Sequence, residues 1–152
     1  MRRRDVDAPA DRLRLRGRPL ARWALIGVLA QLSVRALVGG GALIAAPSGR
    51  IVGLSTDALG RTPFGDYLVP GILLFAGFGI GSAVVCYGLY AGVRRAPVGA
   101  VAVGAGLLAW LAVELLAGFE RPTVWLNLAT AVAVIGLGLS HSVRTARDQP
   151  AE

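Results

Sequence analysis

Four long apolar runs, separated by short polar stretches, set the pattern of this chain. The first spans residues 20–46. The second follows Thr62 and Pro63 and stops at the pair Arg94 and Arg95. The third is Val98–Gly118, and the fourth runs from Pro122 to about Val143. Trp23 to Ala46 alone is 24 residues, or about 36 Å of helix, enough to cross a hydrocarbon core of about 30 Å with some tilt. The other three runs have the length to span as well. The pattern predicts an all-α bundle of four transmembrane helices. An arm at 1–20 precedes the membrane domain at 21–145, and a short tail at 146–152 follows it.

Local signals refine the boundaries. Pro47, Ser48 and Gly49 end the first helix. In the loop that follows, Ser55 is placed to cap a short external turn over Thr56 to Gly60, with Asp57 in its positive first turn. Leu54 and Leu59 would then touch the headgroup boundary. Thr62 reads as the cap of helix 2 and Pro63 as its first residue, with Asp66 favouring the helix start. On that reading Tyr67 is interfacial, and Pro70 lies about two turns in and bends the helix. Gly77 and Gly81 share a face, as do Gly88 and Gly92, and such pairs let another helix approach closely. Ordinary glycine richness of a membrane helix explains them equally well. Trp23 and Trp125 sit where interfacial anchors belong.

Composition strengthens the membrane reading. Of 152 residues, 55% are hydrophobic, with 21 glycines besides, and the mean hydropathy is +0.61. Too few polar residues remain to cover a water-facing surface. The net charge is +7, and all 16 basic residues are arginine. Eight of them lie in the first 22 residues against three aspartates. A basic arm before an apolar run points to topology and to anionic lipid headgroups before it points to nucleic acid. The arm itself is either disordered or a short basic helix on the membrane surface. Along the chain, basic segments alternate with neutral ones: the arm and the Arg94–Arg95 turn are basic, whereas Arg50 and Arg61 are balanced by Asp57 and Asp66 around the first loop, and Glu120 by Arg121 in the third. Four crossings with both termini in the cytoplasm satisfy that alternation. The absence of lysine and the wealth of Ala, Gly, Leu, Val and Arg suggest a GC-rich bacterial genome, hence an inner membrane. A cleaved signal peptide is disfavoured, because the apolar core is too long and Arg35 interrupts it. The one cysteine, Cys86, permits no internal disulfide and reads as a small buried residue.

Candidate chemistry is sparse. Gln31, Arg35 and Glu114 lie inside spans, where charge is costly and normally has a partner. Gln31 and Arg35 are one turn apart, and Gly27, Gly39 and Ala42 fall near the same face, which makes that face the expected packed side. The depths of Arg35 and Glu114 differ by about 9 Å of helix, a gap two extended side chains can close. We therefore expect a buried Arg35–Glu114 ion pair with Gln31 beside it, serving either to set helix register or to line a polar path. Asn127 and Thr130 read as packing groups. His141, the one histidine, has no companions at ligand spacing, so no metal is expected. The Gly-x-Ser-x-Gly, His-Glu-x-x-His and Gly-x-x-x-x-Gly-Lys motifs are absent, and neither an enzyme nor a cofactor is expected. The run Thr62-Pro63-Phe64-Gly65-Asp66-Tyr67-Leu68-Val69-Pro70-Gly71 resembles the start of helix 2 in small, uncharacterised four-helix membrane proteins of bacteria. That resemblance implies the four-span fold and carries no activity. The functional expectation is a non-enzymatic packing or partner subunit, able to form homo-oligomers. The alternative is a small oligomeric transporter or channel with Arg35 and Glu114 near its path.

Overall fold

A helix dense in glycine can approach a neighbour far more closely than one dense in leucine, and glycines place the helices of this chain. The computed structural model describes residues 14–15, 18–60, 62–116, 118 and 122–147. The four helices are α1 (Leu20–Ala45), α2 (Leu68–Ala91), α3 (Ala96–Leu116) and α4 (Pro122–Arg147). All four are long and apolar enough to cross a membrane. Ahead of α1, Arg14–Leu15 and Arg18–Pro19 form a two-residue antiparallel pair. The remainder of the arm and the tail beyond 147 lie outside the described residues, as do Glu120 and Arg121 and the side chain of His141.

Hairpin α1–α2 is zipped by small residues. A methyl group added at Gly40 would meet the Phe75 backbone nitrogen at 2.6 Å, and one added at Gly71 would meet the Leu43 Cβ at 2.8 Å. Farther along the same seam, Gly79 accommodates Leu37, and Ser33 Oγ donates to the Gly79 carbonyl at 2.7 Å. The middle of α2, Leu73–Ile80, is wound as a π-helix. Each of its turns is wider than an α turn, so α1 can approach it closely only where glycine removes the side chain. Hairpin α3–α4 repeats the device. Gly104 lies against Ile135 and the Ala131 carbonyl, and Gly138 against Val101 and the Pro97 carbonyl.

Within the chain, the glycines that seat neighbouring helices are for the most part others than the expected pairs. Gly77 is exposed and nothing stands within 4 Å of a Cβ built there, while Gly81 meets only the Ala76 carbonyl of its own helix. Gly88 faces Ala96 at the α2–α3 turn. Gly92, at φ 83°, ends α2. Its left-handed backbone lets Val93 N–H bond the Gly88 carbonyl at 2.9 Å, a Schellman closure that suits glycine. The packed face of α1 differs too. It carries Leu25, Leu29, Leu32, Ser33, Ala36, Gly40 and Leu43, whereas Gly27 and Gln31 are exposed. A shift of one residue turns a helix by about 100°, so a face chosen one position off looks toward lipid.

Helix 2 starts five residues later than Thr62 and Pro63 suggest. Thr62 Oγ1 donates to the Leu59 carbonyl at 2.9 Å and caps no long helix. Asp66 does the helix-start work, its Oδ1 accepting from Leu68 N–H at 2.9 Å. Pro70 then falls in the first turn, where the N–H it lacks would have had no helical partner, so it breaks no bond.

Three layers of buried residues stack along the bundle axis. Leu25, Leu29, Leu89, Ala96, Ala100 and Val134 fill the end nearest the α2–α3 turn, drawing on all four helices. Leu32, Leu107 and Ala131 fill the middle, with Phe78 against them. Leu43, Leu59 and Tyr67 form the third layer under the 46–67 loop. Outside these layers the helices present apolar side chains such as Val38, Ile72, Val84, Val98, Leu116 and Val132 to the surroundings. Between 22 and 33% of each span is buried within the chain. A surface that apolar on every side needs hydrocarbon around it.

Candidate functional site: a loop-capped cavity between the two hairpins

The third layer is lopsided. Its residues come from α1, the loop and, through Leu74, α2, with none from α3 or α4. The loop is fastened on that side as well. Tyr67 N–H donates to the Pro47 carbonyl at 2.9 Å, closing the loop's base, and Tyr67 Oη donates to the Ser55 carbonyl at 2.8 Å. Inside the loop, Ser55 Oγ accepts from Asp57 N–H at the head of a 3-10 turn, Thr56–Leu59. That turn points Leu59 inward, where it is 4% exposed. Leu59 and Tyr67 are thus core residues of the loop and not headgroup contacts. The reason is that Leu43 and Leu74 offer an apolar socket that water or headgroups would otherwise have to cover.

Because the loop leans on α1 and α2, a cavity of about 290 Å³ remains between it and the facing ends of α3 and α4. Gly39, Leu43, Pro70 and Leu74 wall one side, and Trp110, Val113, Glu114, Val124 and Asn127 the other, with Leu54, Leu59 and Phe64 above. The lining is mostly apolar. Glu114 is its one formal charge among the described residues, and Thr62, Thr123, Tyr67 and Asn127 add polar groups.

Glu114 is held in place. Trp110 Nε1 donates to Glu114 Oε1 at 2.8 Å, one helical turn away. Trp110 is itself braced by Phe78, edge to face, with centroids 6.2 Å apart and planes at 67°. Gly106 lies beside the Phe78 ring. The π-wound part of α2 thereby reaches across the hairpin seam to set the carboxylate. Asn127 is half-buried, and its side-chain amide makes no hydrogen bond among the described residues.

Arg35 takes a different partner from the one its depth suggested. Its Nη2 donates to Thr130 Oγ1 at 3.2 Å on α4, and Thr130 passes its own proton to the Leu126 carbonyl at 2.8 Å. The guanidinium thus meets a lone pair of a hydroxyl whose donor is already used. Arg35 Nε is buried without a partner. The structure brings Arg35 to Thr130 and Glu114 to Trp110. It does not bring Arg35 and Glu114 into an ion pair, and it leaves Gln31 outside. Arg35 is one turn below Gly39, and Thr130 one turn below Asn127, so this polar contact lies just beneath the cavity.

Two working residues are easily overlooked in the chain. Arg22 has the look of one more arm charge, yet its Nε donates to the Leu89 carbonyl at 2.9 Å, with Nη2 on the same oxygen. It places a cation at the C-terminal end of α2, the favourable end. Tyr67 reads as an interfacial aromatic and is the loop's main fastener. For Arg22 a signal did exist, because the end of an antiparallel helix hairpin faces the start of its first helix. Among the described residues no group of three or more His, Cys, Asp or Glu side chains could hold a metal ion. No protein-family model, no curated protein and no solved structure matches this chain.

Proposed function

We propose that this chain is a multi-pass protein of a bacterial inner membrane, with both ends cytoplasmic, that works by holding a small, largely apolar molecule in the cavity under the 46–67 loop. The observation that carries this reading is the cavity itself. About 290 Å³ of space next to close-packed hairpins sacrifices dispersion contacts, and convergent polar groups in an otherwise apolar lining are the usual makeup of a ligand site. The reading is non-enzymatic, since no nucleophile–base pair stands at the cavity among the described residues. It is preferred here to a pure packing or partner subunit, which a sealed, dry Arg35 and Glu114 region would favour. A small transporter is the second reading. Arg35 and Thr130 lie one turn below the cavity and continue its polar groups toward the middle of the span.

The test is thermal unfolding of the purified protein in detergent with octan-1-ol as a probe. A ligand that binds the folded state at a hundred times its dissociation constant stabilises by about 2.7 kcal/mol, readily seen as a rise in Tm. Octan-1-ol is expected to raise the Tm of the wild type and not that of Val124→Trp, which fills the cavity. Equal response of the two proteins would refute the reading.

A further inference from the structure

Gln31 points away from the bundle. It is exposed, and it makes no hydrogen bond among the described residues. Along the Leu20–Ala45 helix it lies about 16 Å from one end and about 21 Å from the other. In a bilayer that places it close to the midplane, where neither water nor headgroups reach. The side chain is too short to extend to either interface. A primary amide facing hydrocarbon without a partner is costly. Turning toward Arg35, one helical turn on, would satisfy only its carbonyl oxygen. Both N–H donors would still face lipid.

We infer that a second copy of this chain covers that face, in a parallel two-fold dimer in which Gln31 bonds Gln31 of the partner subunit. Copies of one chain insert the same way round, so each residue has its equal at the same depth. A two-fold axis along the membrane normal sets a face against itself. The amide is both donor and acceptor, so two of them exchange N–H···O=C bonds across that axis. A different membrane protein would need a polar group at this one depth, whereas a second copy always has one. The residues around Gln31 suit close approach. Ala24, Gly27, Val34 and Val38 are exposed with it at alternating spacings of three and four, the repeat of a left-handed helix pair. A Cβ built on Gly27 meets nothing within 4 Å, so the backbone there is open to a neighbouring helix. Gln31 is the one polar group in this seam, and a single polar residue in such a seam fixes register and copy number. The seam is opposite the packed face with Leu29, Ala36, Gly40 and Leu43. The dimer therefore leaves the loop and its cavity free, and it does not depend on the cavity holding a ligand.

Disulfide trapping in native membranes tests the inference in a Cys86→Ser background. Ala24→Cys lies on the seam, where the axis brings it near its own copy. Val84→Cys and Leu139→Cys face outward elsewhere at the same end of the bundle. Under mild oxidation Ala24→Cys is expected to give a species of twice the chain mass, and the other two are not. Association is then measured by energy transfer between chains labelled at Ser48→Cys in liposomes of increasing lipid content. Gln31→Leu is expected to weaken the dimer about tenfold, in line with intramembrane hydrogen bonds in model helices. Gln31→Asn, which keeps the amide, is expected to retain most of the association. In detergent dilute enough to give monomers, Gln31→Leu is expected to leave the Tm unchanged, because the amide has no partner in its own chain. If all three cysteines cross-link alike, or Gln31→Leu associates like the wild type, the inference is overturned. If Ala24→Cys is trapped only to a different protein, the face belongs to that protein and the second-copy inference fails. If Gln31→Leu lowers the Tm of the monomer, the amide is bonded within its own chain and the inference fails as well.

Discussion

Gly40 and Arg35 stand barely more than one turn apart on α1 and show the two kinds of constraint a single residue carries here. Gly40 is constrained by volume. Its missing side chain lets the Phe75 backbone lie where a methyl group would be, so Gly40→Ala must push two helices apart. Overpacking of this kind costs about 1–3 kcal/mol. Unfolding of Gly40→Ala in detergent is expected to show a loss in that range. Gly77→Ala meets nothing within 4 Å and is expected to be neutral or to gain up to about 1 kcal/mol from helix propensity. Arg35 is constrained by solvation. Thr130→Val removes the hydroxyl that meets its guanidinium and is expected to cost about 1–3 kcal/mol. Arg35→Met together with Thr130→Val is expected to recover most of that loss, as replacement of a buried charge by an apolar side chain often does. A strictly additive double variant would show the two residues to be uncoupled. Arg35, Glu114, Asn127 and Thr130 were visible in the sequence as polar groups inside the spans, as was Gln31, which is exposed. Their pairing was not, because it depends on how far each helix is rotated. That rotation is set by Gly40, Gly71 and Gly104, which look like any other glycines in a span.

At the scale of elements, span number, span length and the tight turn at Arg94–Arg95 follow from hydropathy, because hydrocarbon thickness leaves little choice. The 46–67 loop resists that logic. Thr-Pro followed by apolar residues opens helices and also shapes turns, and here Thr62 closes a 3-10 turn through Leu59. What decides between the two is the tertiary socket for Leu59 and Tyr67, which no local pattern encodes. The loop is accordingly held by few contacts of high value. Leu59→Ala is expected to cost about 2–4 kcal/mol of local stability. Its effect is best read as faster proteolysis within residues 50–60, the spans remaining protected. Tyr67→Phe loses one hydrogen bond, to Ser55, and is expected to loosen the same segment by about 1 kcal/mol. Were the loop equally resistant in both variants, the Leu43–Leu59–Tyr67 layer would not be what secures it.

For the molecule as a whole, the orientation proposed from the arginine distribution has a direct check in a Cys86→Ser background. Ser48→Cys, on the exposed loop, is expected to react with an impermeant maleimide in intact cells. Arg94→Cys, on the opposite turn, is expected to react only after lysis. The reverse labelling would invert the protein in the membrane. The two glycine-zipped hairpins also give the molecule a mechanical character. Each is expected to move as one stiff blade, since its helices touch backbone to backbone. Between the blades lies a seam of leucine, alanine and valine, filled by all four helices at the Arg94–Arg95 end and only partly filled under the loop. Such an object behaves like a clothes-peg: its spring is the layer of Leu25, Leu29 and Val134, and its jaws are the ends bearing Leu43 and Val124. On the ligand-holding function proposed above, a bulkier guest is expected to be taken in by rocking the blades through a small angle, with no helix unwound and no span displaced from the bilayer.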